Sequence, residues 1–207
     1  AQYFLDKDRL EEEGLVRSIR SAIERSRPQS AETQLHQVAS EMQVARQIQE
    51  GLMPRTAPTL PGFDIAGRSD PATRVSGDFF DYVATGPNRM GIAIGDASGH
   101  GLGPAMLAAE ARSCIRALMH TYDEPAAILT MANMLLAEGM LDRHFISMLL
   151  IRLDATTHTL HYANAGHPSA WVIDAAGRVR AELASTGFPL GVQVDEPIGA
   201  TDQVKLA

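Results

Sequence analysis

Between residues 30 and 53 the apolar positions advance in steps of three and four: Leu35, Val38, Met42, Ala45, then a polar Gln49, then Leu52. That spacing marks one face of a helix. It fits either a short coiled-coil seam of about three heptads or an amphipathic helix lying on the domain that follows. Upstream, Leu15, Ile19 and Ile23 recur at spacing four. Glu11, Glu12 and Glu13 come early there and Arg17, Arg20, Arg25 and Arg27 late, an order that suits a helix dipole. The stretch before it, QYFLDKD, reads as a short strand running into a loop. From Pro54 on, the helical period gives way to short apolar runs, which predict strands at 64–68, 79–83, 90–96, 145–153, 159–164, 170–173 and 179–183. Two helices fall among them, from Pro104 to about His120 and from Pro125 to Glu138; each opens on a proline, and Gly139 ends the second. Strands, two helices and then strands joined by tight turns such as DAAG predict an α+β fold with mostly antiparallel sheet. The chain thus divides into an N-terminal segment over 1–28, a helical linker over 29–53 and a larger domain over 54–207.

Composition narrows the class. A chain of 207 residues that is 45% hydrophobic and 21% charged is of the soluble globular kind. Its net charge of −7 argues against a general nucleic-acid binder, which would show a basic face. The single cysteine, Cys114, excludes a disulfide within the chain and fits a reducing compartment. Runs such as 148–151 fall far short of the roughly 20 apolar residues that cross a bilayer, and no signal-peptide pattern opens the chain. The expectation is a cytoplasmic protein with no membrane partner.

Charge position matters more than charge total. In IGDASGHG, Asp96 closes an apolar run and a glycine loop follows; in RVSGDFFD, Asp78 and Asp81 stand where another run begins. Mg²⁺ and Mn²⁺ take oxygen ligands and keep several waters, so a few carboxylates on neighbouring strand ends suffice to hold them. Two such ions roughly 4 Å apart polarise a bridging water and clamp a phosphoryl oxygen. Glycine beside the aspartates lets backbone carbonyls and a bulky phosphate come close. Taken singly, Asp beside Gly also fits a turn. Arg74 fits a phosphate contact or a solvated loop, and Asp81 a second-sphere or alternate ligand or a strand-end cap. His100 and His167 are candidates for the acid that protonates a leaving serine oxygen, though a structural role fits both better, His167 in AGHP as a turn organiser; His100 also fits a phosphate or second-sphere contact. GHGLGP looks like a dinucleotide fingerprint but has Pro104 in place of the third glycine and no βαβ repeat around it.

The order of the motifs adds what none of them carries alone. ARQIQEGLMP, DPATRVSGDFFD, IAIGDASGHGLGPAM, FISMLLIRLD, YANAGHP and GFPLGV occur in series over about 45–207. The series resembles the SpoIIE-type branch of the metal-dependent PPM serine/threonine phosphatases, the stress-response sigma-factor regulators of bacteria. The resemblance implies a sandwich of two antiparallel β-sheets flanked by helices, with a binuclear Mn²⁺ or Mg²⁺ centre at one edge. By position, Asp78 of SGD and Asp96 of GDASG match two metal-binding aspartates, and Ala97 sits where the family supplies a backbone carbonyl ligand. The implied reaction is hydrolysis of a phosphoserine or phosphothreonine protein, of the anti-sigma-factor-antagonist kind, by direct attack of metal-activated water. Relatives with DGHGG carry a histidine two residues past the aspartate, where this chain has Ser98; His100 comes four residues past it.

The chain departs from the family at its end. The family runs on to a strand closing in a TDG motif, whose aspartate completes the metal site, whereas this sequence ends in TDQVKLA. The expectation is a domain cut short, with weak metal binding and little turnover. At the other end, residues 1–27 resemble the last strand and helix of a response-regulator receiver domain, with Lys7 matching the lysine that contacts the phosphoryl group. That implies a receiver, a dimerising linker over 35–52 and a phosphatase, driven by a histidine kinase. The alternative from another class is a catalytically silent dimeric regulator that keeps the fold and binds a partner.

Overall fold

A computed structural model describes residues 12–70, 75–140 and 144–206. The chain divides into two compact units, Ala1–Val44 and Ala45–Ala207. Helix α1, Glu12–Leu52, is one unbroken helix of 41 residues. The break expected at Pro28 does not occur. A proline removes one backbone hydrogen bond, and the helix formers on either side carry the helix across it. The expected strand in QYFLDKD, with Lys7, lies outside the described residues, as does Arg74. Among the described residues no helix is long and apolar enough to cross a membrane.

The second unit is built on a five-stranded antiparallel sheet, order β1-β2-β3-β4-β7. Its strands are β1 (Asp78–Gly86), β2 (Arg89–Ala97), β3 (Ile146–Asp154), β4 (Thr159–Ala165) and the two-residue β7 (Val204–Lys205). A hairpin of β5 (Ala170–Ile173) and β6 (Val179–Leu183) forms a second sheet. Helices α2 (Leu102–Leu118) and α3 (Pro125–Ala137) connect β2 to β3.

The large sheet is covered on both faces, so its strands read as apolar runs rather than as clean alternation. On one face Phe79, Val83, Ala93, Ala97, Met148 and Leu150 meet Ala108, Ala111 and Ile115 of α2 and Leu129 and Leu136 of α3. Each fully buried leucine there contributes roughly 1.5–3 kcal/mol. On the other face Met90, Leu149, Leu153, Leu160 and Tyr162 meet Leu183 of the hairpin and Leu60. The strand expected over 64–68 is absent. Ile65 packs into this second cluster and Gly67 lies against Phe80 and Tyr82 of β1, but the segment forms no strand ladder. The short β7 has too few apolar residues to have been expected.

Candidate metal and phosphate site

Strand parity sorts the aspartates. Asp78, Phe80 and Tyr82 face the hairpin side of β1, while Phe79, Asp81 and Val83 face the helices. The β1–β2 register sets Asp78 directly opposite Asp96, and the β2–β3 register sets Asp96 opposite Ser147. Both carboxylates are exposed at the open end of the sheet. They are close enough to interact: burial and then the Asp78 charge push the Asp96 carboxyl above the ordinary carboxylate range, and His167 opposes them.

Each carboxylate is held from behind. The Ser76 hydroxyl accepts the Asp78 N–H at 3.1 Å and lies 3.2 Å from Asp78 Oδ2. Ala97 N–H donates to the Gly77 carbonyl at 3.1 Å, which ties the residue before Asp78 to the residue after Asp96. A Cβ on Gly77 would collide with the Ala97 carbonyl oxygen and lie 3.1 Å from Asp96 Oδ1, so glycine there is what keeps that oxygen clear. Ser98 and Phe145 close the loop base, Ser98 N–H to the Phe145 carbonyl at 2.9 Å and Phe145 N–H to Ser98 Oγ at 3.0 Å. A cavity of about 360 Å³ opens beside Asp78, walled by Gln49, Met53, Arg68, Ser76 and Phe80.

His167, which the sequence favoured as a turn organiser, stands beside the carboxylates. Its Nδ1 lies 2.8 Å from Ser147 Oγ, and its backbone N–H donates to Asn164 Oδ1 at 2.7 Å. Asn164 is fully buried and spends its amide N–H on the Leu183 carbonyl at 3.1 Å, so the AGHP turn rests on a fixed side chain. Burial pulls the His167 imidazole below the ordinary histidine range, and the charges of Asp96 and Asp78 pull it back. Ser147, Asn164 and Gln49 were not foreseen. Ser147 sits in a strand opposite the one that Asp96 ends, which the apolar pattern of FISMLLIRLD alone does not reveal. His100, by contrast, is exposed on the loop before α2.

Asp81 does not belong to this site. It is 1% exposed on the helix side of β1 and holds α2 through Arg112 at 3.0 Å and Arg116 at 2.8 Å. An odd step of three from Asp78 turns it to the opposite face, so neither the second-sphere nor the strand-end-cap reading stands.

The donor set that remains is all oxygen: two facing carboxylates and the backbone carbonyl of the buried Ala97. Such a set fits Mg²⁺ or Mn²⁺ rather than a thiophilic metal. Like charges directly opposite each other on a sheet are destabilising, and a cation relieves that.

Residues 86–205 match the family described as Stage II sporulation protein E (SpoIIE). Phosphoserine phosphatase RsbU of Bacillus subtilis (strain 168) is 26% identical over 167 residues, a match covering 81% of this chain and 50% of RsbU. Phosphoserine phosphatase RsbP of the same strain is 25% identical over 160 residues, covering 75% of this chain and 39% of RsbP. The chain spans half or less of the length of these curated relatives. Among solved structures, the SiaA-PP2C domain of Pseudomonas aeruginosa matches at a TM-score of 0.63 and 21% identity, over 83% of this chain and 67% of that one. The RsbU and RsbW domains of a Mycobacterium tuberculosis protein match at 0.56 and 25% identity, over 66% of this chain and 38% of that one. The expected α+β fold of antiparallel sheets flanked by helices is therefore the PP2C-like fold of these neighbours.

Proposed function

The chain belongs to the SpoIIE family, and on that premise we propose that it is the catalytic domain of a protein phosphatase acting on phosphoserine or phosphothreonine in a partner-switching pathway. The observation that carries this reading is the cross-strand pairing of Asp78 with Asp96 at the open end of the sheet, with the Ala97 carbonyl beside Gly77. By the family resemblance these three groups would hold a divalent metal, Mn²⁺ or Mg²⁺, in a binuclear centre. A cation held there supplies Lewis acidity toward water and the phosphoryl oxygens.

The chain's own residues do the rest. Ser76 orients Asp78, the Ala97–Gly77 hydrogen bond locks the two strand ends together, and the glycine-rich loop 99–103 leaves room for the phosphorylated side chain. Ser147 and Asn164 hold His167 beside the carboxylates, where it orients water or the departing serine oxygen. The cavity next to Asp78 accepts residues flanking the phosphoserine. RsbU and RsbP are named phosphoserine phosphatases, which supports phosphoserine as the substrate; a substrate of the anti-sigma-factor-antagonist type follows from the family resemblance. A receiver input phosphorylated by a histidine kinase is proposed on the resemblance of residues 1–27.

The test is phosphate release from p-nitrophenyl phosphate and a phosphoserine peptide by the full-length gene product. Turnover is expected with Mn²⁺ or Mg²⁺ and is abolished by chelation. A folded protein that stays inert with every divalent metal would instead be the catalytically silent regulator.

The linker is proposed to dimerise through α1 over 35–52. Leu35 and Val38 are 71% and 54% exposed. Gln49, placed in the same seam by its spacing, instead bonds to its own domain, so the seam rests on the positions ahead of it. Light scattering should give a dimer, and Leu35→Glu with Val38→Glu should give a monomer of unchanged fold. A wild-type monomer sinks the idea.

A further inference from the structure

We propose that Phe145 and Phe188 form an apolar rim on the β3–β4 side of the site and select phosphoproteins that carry an apolar residue on one flank of the phosphoserine. The inference rests on the reading that Asp78 and Asp96 hold the metal at which the phosphoserine is cleaved.

Among the described residues Phe63, Phe79 and Phe80 are buried or half-buried, whereas Phe145 and Phe188 are 40% and 54% exposed. One exposed apolar side chain needs no explanation. Two phenylalanines that both stand beside the same site, on separate segments of the chain, do.

Phe145 is fixed to the loop that follows Asp96. Its carbonyl accepts the Ser98 N–H at 2.9 Å, and its own N–H donates to Ser98 Oγ at 3.0 Å. The next residue, Ile146, is fully buried in the main core. Alternation therefore puts Phe145 on the face of Ser147, the residue opposite Asp96. Phe188 comes from the other side. Gly187 bridges to Ala165 at the end of β4, and Leu190 bridges to Ile146. Pro189 packs so closely on the AGHP turn that a Cβ on Gly166 would overlap its ring. Phe188 thus stands beside the turn that carries His167, and Phe145 beside the strand whose Ser147 Oγ lies 2.8 Å from His167 Nδ1. Neither phenylalanine is held by its own burial; each rides on backbone that the site already fixes.

The two flanks of the carboxylate pair differ in chemistry. On the β1 side the cavity beside Asp78 has a largely polar wall that includes Arg46, Gln49, Glu50, Arg68 and Ser76. On the β3–β4 side the exposed groups are the two phenyl rings. A chain whose phosphate sits at Asp78 and Asp96 meets polar groups with one flank and aromatic rings with the other. Aromatic rings offer large apolar area, and a few such residues carry most of the energy of a protein contact.

The experiment uses the full-length gene product with Mn²⁺ and three phosphoserine peptides of equal charge, with two leucines before the phosphoserine, two leucines after it, or serines at all four positions. Wild type is expected to favour one of the leucine peptides over the serine peptide by about tenfold in kcat/KM, mostly through KM. Phe145→Ser and Phe188→Ser should each lose most of that preference and keep wild-type kcat and KM on p-nitrophenyl phosphate, which has no flanks. Tyr122→Ser removes an exposed aromatic at the far end of the sheet, next to the Asp123 that pairs with Arg152, and should change nothing. Equal rates on all three peptides overturn the rim, and so does a folded variant that keeps the preference. Fluorescence anisotropy of the labelled peptides separates this inference from the phosphatase reading. A wild type that is inert on p-nitrophenyl phosphate but binds one leucine peptide about tenfold tighter, and loses this in Phe145→Ser and Phe188→Ser, keeps the rim and sinks the catalytic reading. Equal binding of the three peptides overturns the rim even where p-nitrophenyl phosphate is hydrolysed.

Discussion

Asp96→Asn is expected to lower metal-dependent phosphate release by about a thousandfold while leaving the metal-free protein as stable as wild type or more so. The first half follows from the donor count: one of two facing carboxylates loses its charge, and transition-state stabilisation of several kcal/mol by a bound cation goes with it, at about 1.4 kcal/mol per tenfold in rate. The second half follows from register. Asp96 stands directly opposite Asp78, where like charges destabilise a sheet by a few tenths of a kcal/mol to about 1 kcal/mol. The Asp78 charge is also, after burial, one of the causes that push the Asp96 carboxyl above the ordinary carboxylate range. Asparagine keeps the shape and removes the repulsion. In wild type, Mn²⁺ at a hundred times its Kd adds about 2.7 kcal/mol to folding stability; the variant should show little of that gain. Thermal unfolding with and without Mn²⁺ reads both. A wild-type rate together with a full Mn²⁺ shift would remove Asp96 from the ligand set, and a metal-free variant that melts early would make its role structural.

Much of the fold was legible because burial on both faces writes itself as apolar runs. FISMLLIRLD announced β3 and the run through Met90–Asp96 announced β2, each within a residue or two of its observed limits. Errors came where a local rule met a tertiary circumstance. Pro28 signals a helix end, and the helix formers around it overrode that signal. Residues 64–68 look like a strand, but the segment packs against β1 through side chains and forms no ladder. Within the site, Asp78 and Asp96 were found from charge at the ends of apolar runs. Their direct opposition was not, because it depends on the register shift between Ala84 and Gly86 in β1. His167 reaches them only once β3 and β4 are in register, which no local pattern encodes. Gln49 was visible as the polar residue in an apolar stripe and was assigned to a seam, when its amide was needed by a backbone elsewhere in its own domain. Asp81 is the case where the sequence held the answer. An odd step from Asp78 put it on the other face, and arginines at 112 and 116, one helical turn apart on α2, were its partners.

That assignment makes Asp81→Ala the largest stability loss expected of any charge in the domain. Asp81 has a side-chain exposure of 2% and faces Arg112 at 11% and Arg116 at 45%. Removing it leaves the Arg112 guanidinium buried without its counter-charge, and Arg112 Nε already lacks a partner among the described residues. Breaking a buried pair in this way costs about 3–5 kcal/mol. Arg116 is largely solvated, so Arg116→Ala should cost about 1 kcal/mol or less. Asp81→Asn should fall between them, since it keeps the volume and an oxygen for the Tyr82 N–H, which Asp81 Oδ1 accepts at 2.8 Å. Urea unfolding with an unchanged slope would show the order Asp81→Ala, then Asp81→Asn, then Arg116→Ala. The same proteins separate anchoring from chemistry. Because Asp81 points away from Asp78, folded Asp81→Asn should keep the Mn²⁺ affinity and turnover of wild type. If instead it loses turnover at full stability, Asp81 acts at the phosphate and β1 must present both aspartates to one face. That would require a bulge between Asp78 and Asp81, where the register to β2 runs unbroken.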